Sequence, residues 1–253
     1  MKFKDNYNTV QFQHQYVDFH FGKEQHFGID NFAYKCIEVI KHYIIGSNFD
    51  KVLDIGCAVG RSSFELAKIA NSVDALDFSS KLLEVPLALQ SEKTIRYSVT
   101  WEGDITELKE IKLSDFDEYL GIKNKIRFSQ ADACNLEPHY SGYDLVFAGN
   151  LIDRLHTPQK FLEDIKERLT PSGYLAIASP YTWLEEHTPK ENWLGGFSSK
   201  TEEDKTTLDG LIDHLSPEFE LKFTEDVPFV IRETKRKFQH SISQMTIWKK
   251  QSM

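Results

Sequence analysis

Val52-Leu53-Asp54-Ile55-Gly56-Cys57-Ala58-Val59-Gly60-Arg61 runs from a short apolar stretch through two glycines into a segment of helical period. The apolar run from Lys51 to Ile55, bounded by glycine, has the character of a buried parallel strand, and Arg61 to Ala70 spaces its apolar residues for one helix face. Gly56 can take a positive φ and lets a ligand approach the backbone, while Gly60 lets the helix start tightly against the strand. The spacing is Gly-x-x-x-Gly, not the Gly-x-Gly-x-x-Gly of a pyrophosphate cradle, and no Gly-Lys-Ser/Thr follows. A nucleoside without phosphates suits this turn better than a nucleotide.

A second unit follows at once, with Ser72 to Asp77 as strand and Ser79 as N-cap of a helix carrying Leu82, Leu83, Leu87 and Leu89. Two strand-helix units in succession imply a parallel sheet. Upstream, Asp30 to Ile45 spaces Phe32, Cys36, Val39, Ile40 and Tyr43 as a helix with Gly46 as its C-cap. Downstream, strands are expected over Lys125 to Gln130, Tyr143 to Ala148 and Tyr174 to Ser179. A helix from Pro158 to Leu169 opens on proline and closes at Pro171-Ser172-Gly173. Phe219 to Phe223, extended to Glu233, and Phe238 to Trp248 alternate as an antiparallel pair joined at Thr234-Lys235-Arg236. The fold class is therefore α/β, a doubly wound sheet finished by a hairpin, with no linker that would divide it. The stretch from Thr94 to Leu120, around Glu102-Gly103-Asp104, reads as an inserted hairpin. For it a solvated decoration, a cover over the site and a dimer contact all stay open.

The 253 residues carry 30 Lys+Arg against 39 Asp+Glu, a net charge of -9 that opposes phosphate tracking, so no nucleic-acid partner is expected. No window approaches 18 consecutive apolar residues, and Met1 to Val10 is too polar for a signal peptide, so a cytoplasmic protein with no membrane partner is expected. Cys36, Cys57 and Cys134 form neither a disulfide framework nor a metal cluster.

Asp54, just before the turn, would repel a pyrophosphate but attract an ammonium and a sulfonium. Asp77, in Leu76-Asp77-Phe78-Ser79, is placed to accept both ribose hydroxyls. In Gln130-Ala131-Asp132-Ala133 an acid and a backbone N–H can read an adenine. Together these describe S-adenosylmethionine, and the expected donor-binding set is Asp54, Gly56, Cys57, Gly60, Arg61, Asp77, Phe78, Asp132, Ala133 and Asn150. Acids at three successive strand ends resemble the class I S-adenosylmethionine-dependent methyltransferases over about residues 50 to 180. That resemblance implies a Rossmann-like seven-stranded sheet with a reversed final strand.

After the fourth strand comes Asn150-Leu151-Ile152-Asp153-Arg154-Leu155, where Asp153 and Arg154 are candidates to bind an ammonium and a carboxylate. After the fifth comes Ser179-Pro180-Tyr181-Thr182-Trp183-Leu184-Glu185-Glu186-His187-Thr188-Pro189, then Trp193-Leu194-Gly195-Gly196, material for an aromatic wall around a small flat substrate. These strings, with Phe19-His20-Phe21-Gly22 near the start and Pro228 to Thr234 near the end, resemble the stand-alone 4-mercaptohistidine N1-methyltransferases of ovothiol biosynthesis over nearly the whole chain. The resemblance implies methyl transfer to an imidazole ring nitrogen of 5-thiohistidine, giving ovothiol A and S-adenosylhomocysteine, with a separate sulfoxide synthase in the same pathway. Asp153, Tyr181 and Glu185 are then the catalytic candidates, as acceptors for the opposite ring N–H. Phe19, His20, Asn150, Asp153, Arg154, Tyr181, Trp183, Glu185 and Trp193 are the substrate-binding candidates. Residues 1–49 are expected to cap a methyltransferase domain over 50–253. Two other readings stand beside this one: a methyltransferase on another small histidine-like or phenolic acceptor, and a non-catalytic S-adenosylmethionine-binding partner subunit.

Overall fold

In the computed structural model, which describes residues 8–44, 46, 48–198 and 204–251, the glycine turn sits in the middle of a seven-stranded sheet. The expected start of the cap at residues 1–7, and Ile45 at the end of the expected second helix, lie outside the described residues. The strands are β1 (Phe49–Ile55), β2 (Ala70–Asp77), β3 (Ile95–Glu102), β4 (Ile105–Ile111), β5 (Ile126–Gln130), β6 (Tyr143–Gly149), β7 (Leu169–Ser179), β8 (Phe219–Arg232) and β9 (Phe238–Lys250). The large sheet has the order β5-β2-β1-β6-β7-β9-β8, parallel except for β9, which runs antiparallel to β7 and β8. This is the expected doubly wound sheet with its final strand in chain order reversed, inserted between β7 and β8.

Strand residues alternate between two cores, as the pleat requires. Val52, Leu145 and Phe147 join the core that holds α1 (Val10–Phe21), α2 (Phe32–Tyr43), α3 (Arg61–Leu66) and α4 (Ser80–Gln90), whereas Leu53, Val146 and Ala148 join the core of α6 (Pro158–Arg168) and α7 (Thr207–Leu215). The expected cap at Ser79 forms, its Oγ accepting from Leu82 N–H at 3.2 Å, and Asn31 Oδ1 caps α2 by accepting from Tyr34 N–H at 3.1 Å, so that this helix starts at Phe32 and not at Asp30. The helix after the glycine turn ends at Leu66, not Ala70, because the chain must turn back in time for Ala70 to pair with Phe49 in β1. Pro171-Ser172-Gly173 does not close a helix. α6 stops at Arg168, Leu169 already pairs with Tyr143, and the three residues form a bulge before Tyr174 pairs with Leu145, with Ser172 at φ +65°. Leu87, expected inside, is exposed, and Val85 and Pro86 take its place in the core.

The insertion is a hairpin as expected, β3 and β4 forming a separate two-stranded sheet. It is not a free decoration. Ser98 N–H donates to His14 Nδ1 at 3.2 Å and the Tyr97 hydroxyl to Asp18 Oδ1 at 3.2 Å, so the hairpin grips α1. Its tip meets the β8–β9 turn, where Lys235 N–H donates to the Trp101 carbonyl and the Lys235 ammonium lies 3.5 Å from the centre of the indole ring. Further on, α5 (Asp117–Leu120) buries Tyr119, whose hydroxyl donates to Glu65 on α3.

β8 and β9 stay paired from Phe219–Lys250 to Arg232–Phe238, while β7 ends at Ser179 opposite Gln244. The hairpin therefore overhangs the carboxyl edge of the sheet. α1 lies against that overhang at one end, with Phe19 against Phe229 at 5.8 Å, and over the β2–α4 turn at the other, where Ser79 Oγ donates to Asn8 Oδ1 at 2.9 Å. Among the described residues no helix is long and apolar enough to cross a membrane.

Candidate functional site

The carboxyl edge under α1 concentrates unusual backbone. Gly56 and Gly60 take φ +78° and +87°, Ala58 between them takes +49°, and Asn150, the first residue past β6, and Tyr181, the second past β7, take +52° and +53°. Such values are uncommon in residues other than glycine, and they cluster where a fold holds its backbone for function. The turn is fixed from the β2 side: Gly56 and Cys57 N–H both donate to the Leu76 carbonyl, at 2.8 and 3.0 Å. The Cys57 thiol is buried, and burial pushes its pKa up, so this residue offers backbone and not a thiolate.

Asp77 shapes the same turn. Its Oδ2 accepts from Ala58 N–H and its Oδ1 from Ser79 N–H, each at 2.8 Å. Each carboxylate oxygen keeps lone-pair capacity for a further donor, as two vicinal hydroxyls would require. Burial pushes its pKa up against the pull of these N–H groups. The β5 edge is drawn to it: Ala131 N–H donates to the Asp77 carbonyl at 3.0 Å and Gln130 Nε2 to the Phe78 carbonyl at 2.9 Å. Asp132 and Phe78 are exposed beside this acid, Ala133 is buried, and Asp132 Oδ1 accepts from Cys134 N–H at 2.9 Å.

Asp54 lies beneath the turn, 1% exposed, and no cation is paired with it among the described residues. Its Oδ2 accepts the hydroxyls of Ser62 and Ser63 at 2.7 and 2.6 Å, while Oδ1 is buried without a hydrogen-bond partner. Burial raises its pKa to about 6, the two hydroxyls opposing and Asp77 adding to the rise. A carboxylate left without a counter-cation beside a ligand turn fits a donor that brings an ammonium and a sulfonium. Because its pKa is raised above the ordinary 3.8, Asp54 favours the fold fully below about pH 4 and loses that contribution as pH rises through about 6. Over that window wild type is expected to lose about 3 kcal/mol relative to Asp54→Asn, from ~1.4 kcal/mol per pKa unit. Urea unfolding at a series of pH values compares the two, and parallel curves would show that Asp54 does not titrate there.

At the end of β6 the chain comes against the glycine turn, since a side chain begun at Gly56 would meet Leu151 at 3.1 Å. Asn150 is fixed by its N–H to the Ala178 carbonyl at 2.7 Å and by the Ser243 hydroxyl, which donates to its Oδ1 at 2.6 Å. Tyr181 donates its hydroxyl to Gln244 Oε1 at 3.1 Å, and burial raises its pKa, with Asp153 and Asp226 adding to the rise, so the phenol stays protonated. Ser243 and Gln244, which carry these contacts, stand in no motif. Their place at the site comes only from the pairing of β9 with β7.

The other expected residues are placed differently from one another. Asp153 is fully buried, its Oδ2 accepting from Arg154 Nη1 and Thr182 N–H, both at 2.9 Å, and Arg154 also donates to the Thr182 carbonyl. The pair thus ties the turn after β6 to the loop after β7, with part of Arg154 facing solvent. Trp183 and Trp193 stack on each other at 6.2 Å and donate their indole N–H groups to Thr207 Oγ1 and the Thr188 carbonyl. They build the loop's own core against α7 in place of an open aromatic wall, while Glu185 stays exposed on that loop. Arg61 turns from the donor turn to Glu65, at 2.9 Å, and to the rings of Phe116 and Tyr119, at 4.8 and 5.2 Å. The aromatic cover comes instead from Phe19 on α1, Phe32 on α2 and Phe229 on β8, with His20 beside them. His20 is buried, its Nδ1 has no hydrogen-bond partner, and burial with Arg61 nearby lowers its pKa to about 3, so it is a neutral ring.

A family model described as a methyltransferase domain matches residues 47–244. Ribosomal protein L11 methyltransferase of Campylobacter concisus (strain 13826) is 28% identical over 75 residues, 30% of this chain and only 26% of that protein's length. Among solved structures, magnesium protoporphyrin IX methyltransferase from Synechocystis PCC 6803 with bound SAH has a TM-score of 0.59 at 15% identity, with 97% of each chain covered. N-methyltransferase NodS from Bradyrhizobium japonicum WM9 in complex with S-adenosyl-L-homocysteine has a TM-score of 0.51 at 11% identity, covering 94% of this chain and 98% of that one. At those identities the likeness is one of fold. With the family match over most of its length, beside the strained glycine turn and the acids at its strand ends, the chain belongs to the methyltransferase domain family.

Proposed function

We propose that the chain methylates an imidazole ring nitrogen of 5-thiohistidine, giving ovothiol A and S-adenosylhomocysteine. The identity of the acceptor rests on the sequence resemblance. Its small size is supported by α1 and the residues before it, which lie across the carboxyl edge from the β2–α4 turn at Asn8 to β8 at Phe19 and so stand in the way of a macromolecule. The observation that carries the reading is that Asn150 and Tyr181, both held at positive φ by contacts from β7 and β9, follow the carboxyl ends of β6, which pairs with β1 beside the glycine turn, and of β7, the next strand over.

When bound, S-adenosylmethionine supplies an electrophilic methyl group on a sulfonium. The chain's work is alignment: a ring nitrogen must lie in line with the methyl carbon at about 3 Å, and fixing that geometry supplies much of the acceleration. Asp77 and the glycine turn would hold the donor's ribose, and Asp54 would face its cationic end. The Tyr181 oxygen, whose proton goes to Gln244, retains lone pairs that can accept the N–H on the opposite side of the imidazole and so aim the attacking lone pair. Phe19, Phe32 and Phe229 exclude water around the ring. A separate sulfoxide synthase in the cytoplasm is the expected source of the thiohistidine.

The test is incubation with S-adenosylmethionine and 5-thiohistidine, histidine or ergothioneine, followed by mass spectrometry. Ring-methylated product from 5-thiohistidine, in clear excess over the other two, is expected. Methylation of histidine or ergothioneine in preference, or of none, would sink the assignment.

A further inference from the structure

Two cavities flank α1 away from the glycine turn. One, of about 290 Å³, lies between the α1–α2 connection and β8, and Phe19, Glu24 and Phe32 line it. The other, of about 550 Å³, lies between α1, β3 and the β8–β9 turn, where Gln15, Ser98 and Gln239 line it. Their volumes are close to those of small-molecule sites, about 300 to 1,000 Å³. Two charged side chains line both: Asp18 and Arg232, 8% and 7% exposed.

Charges of both signs, each more than nine-tenths buried, are costly unless closely paired. Among the described residues no ion pair joins Asp18 to Arg232. Arg232 Nη1 reaches Glu24 Oε2 at 3.4 Å, and Asp18 Oδ1 has Lys109 Nζ at 3.5 Å and the Tyr97 hydroxyl at 3.2 Å. All three distances exceed the roughly 2.7 to 2.9 Å of a close charge-assisted hydrogen bond. A guanidinium and a carboxylate, both loosely held on the walls of the same two cavities, match a ligand that carries a carboxylate and an ammonium on one carbon.

The inner wall of the smaller cavity points to the reaction site. Phe19 and Phe32 stack there at 6.2 Å, and the edge of the Phe32 ring is 3.7 Å from where a side chain on Gly149 would begin. The cavity is thus one aromatic ring removed from the end of β6 and from Asn150.

We infer that Asp18 and Arg232 form the seat for the head group of an α-amino acid acceptor. Arg232 takes its carboxylate through the planar guanidinium fork and Asp18, with Glu24, its ammonium, while its side chain passes Phe19 and Phe32 to reach the end of β6. The inference rests on the acceptor being an amino acid, as proposed above, and adds that a free head group is what the enzyme selects.

Calorimetry on the full chain saturated with S-adenosylhomocysteine tests it, with two ligand series: 5-thiohistidine, its methyl ester and its decarboxylated amine, and the same three forms of L-histidine. In wild type at least one free acid is expected to bind about ten- to a hundredfold more tightly than its ester and its amine, the loss of a charged hydrogen-bonded pair. Arg232→Met is expected to bring the three forms within about twofold of one another while binding S-adenosylhomocysteine as wild type does. Acid, ester and amine binding alike in wild type overturns the inference without any variant, as does failure of both free acids to bind. Discrimination that survives Arg232→Met overturns it as well. Head-group discrimination in the L-histidine series alone keeps this site and removes 5-thiohistidine as the acceptor, whereas methylation of 5-thiohistidine with no discrimination keeps the acceptor and removes the site.

Discussion

Gly60→Ala is expected to lower stability by about 2 to 5 kcal/mol and to abolish measurable binding of S-adenosylhomocysteine. Two costs act together. Gly60 sits at φ +87°, where an L-residue with a Cβ is strained by about 1 to 2 kcal/mol. The added Cβ would also lie 2.6 Å from Pro86 Cβ and 3.0 Å from the Phe128 ring. Neither neighbour is the loose end of a flexible chain: Pro86 is fixed inside α4, and Phe128 is a buried residue of β5. Overpacking of this kind typically costs about 1 to 3 kcal/mol more. The relief available, moving α4 outward, displaces Ser79 and with it one of the two N–H groups on Asp77. Gly28→Ala is the control, since Gly28 has φ +71° but nothing within 4 Å of the added atom, so only the strain should register. Urea unfolding read by circular dichroism measures both variants, and a Gly60→Ala curve as mild as that of Gly28→Ala would show that the turn has slack.

Asp77→Ala is expected to weaken S-adenosylhomocysteine binding by about 1.5 to 3 kcal/mol, roughly ten- to 150-fold, as hydrogen bonds to a charged group are lost. The carboxylate is proposed to hold two ribose hydroxyls, and it also holds Ala58, which stands at φ +49°, through its N–H. Removing it therefore frees a strained residue within the turn itself. Asp77→Asn keeps one oxygen acceptor and should fall between wild type and Asp77→Ala. Isothermal titration of the three proteins gives the order, and equal affinities would take the ribose away from Asp77.

Much of the donor side was legible because its information is local. A strand that ends in Asp54-Ile55-Gly56 and a second that ends in Leu76-Asp77 fix where the acids fall, since parallel strands deliver their carboxyl ends to one edge whatever the helices between them do. The helix cap at Ser79 and the insertion's Gly103 turn are likewise short-range chemistry. The Pro171-Ser172-Gly173 bulge was not legible, because the same residues suit a helix end and a strand irregularity, and only pairing of Leu169 with Tyr143 decides between them. Trp183 and Trp193 looked like ligand walls because aromatic residues on a loop at the strand ends suit either role. Their indole partners, Thr207 and the Thr188 carbonyl, showed which one they take.

By itself the sequence determined the alternation of strands and helices, the glycine turn and the acids that ring it, because each depends on residues within a few positions of one another. Tertiary structure alone decided what faces that turn. Ser243 and Gln244 reach Asn150 and Tyr181 across 93 and 63 positions, and Phe19, Phe32 and Phe229 meet from three separate elements. Such contacts have no period and no motif. They exist because burying the apolar faces of α1 and of the β8–β9 overhang folds them together over the sheet's edge, and that burial is a property of the whole chain.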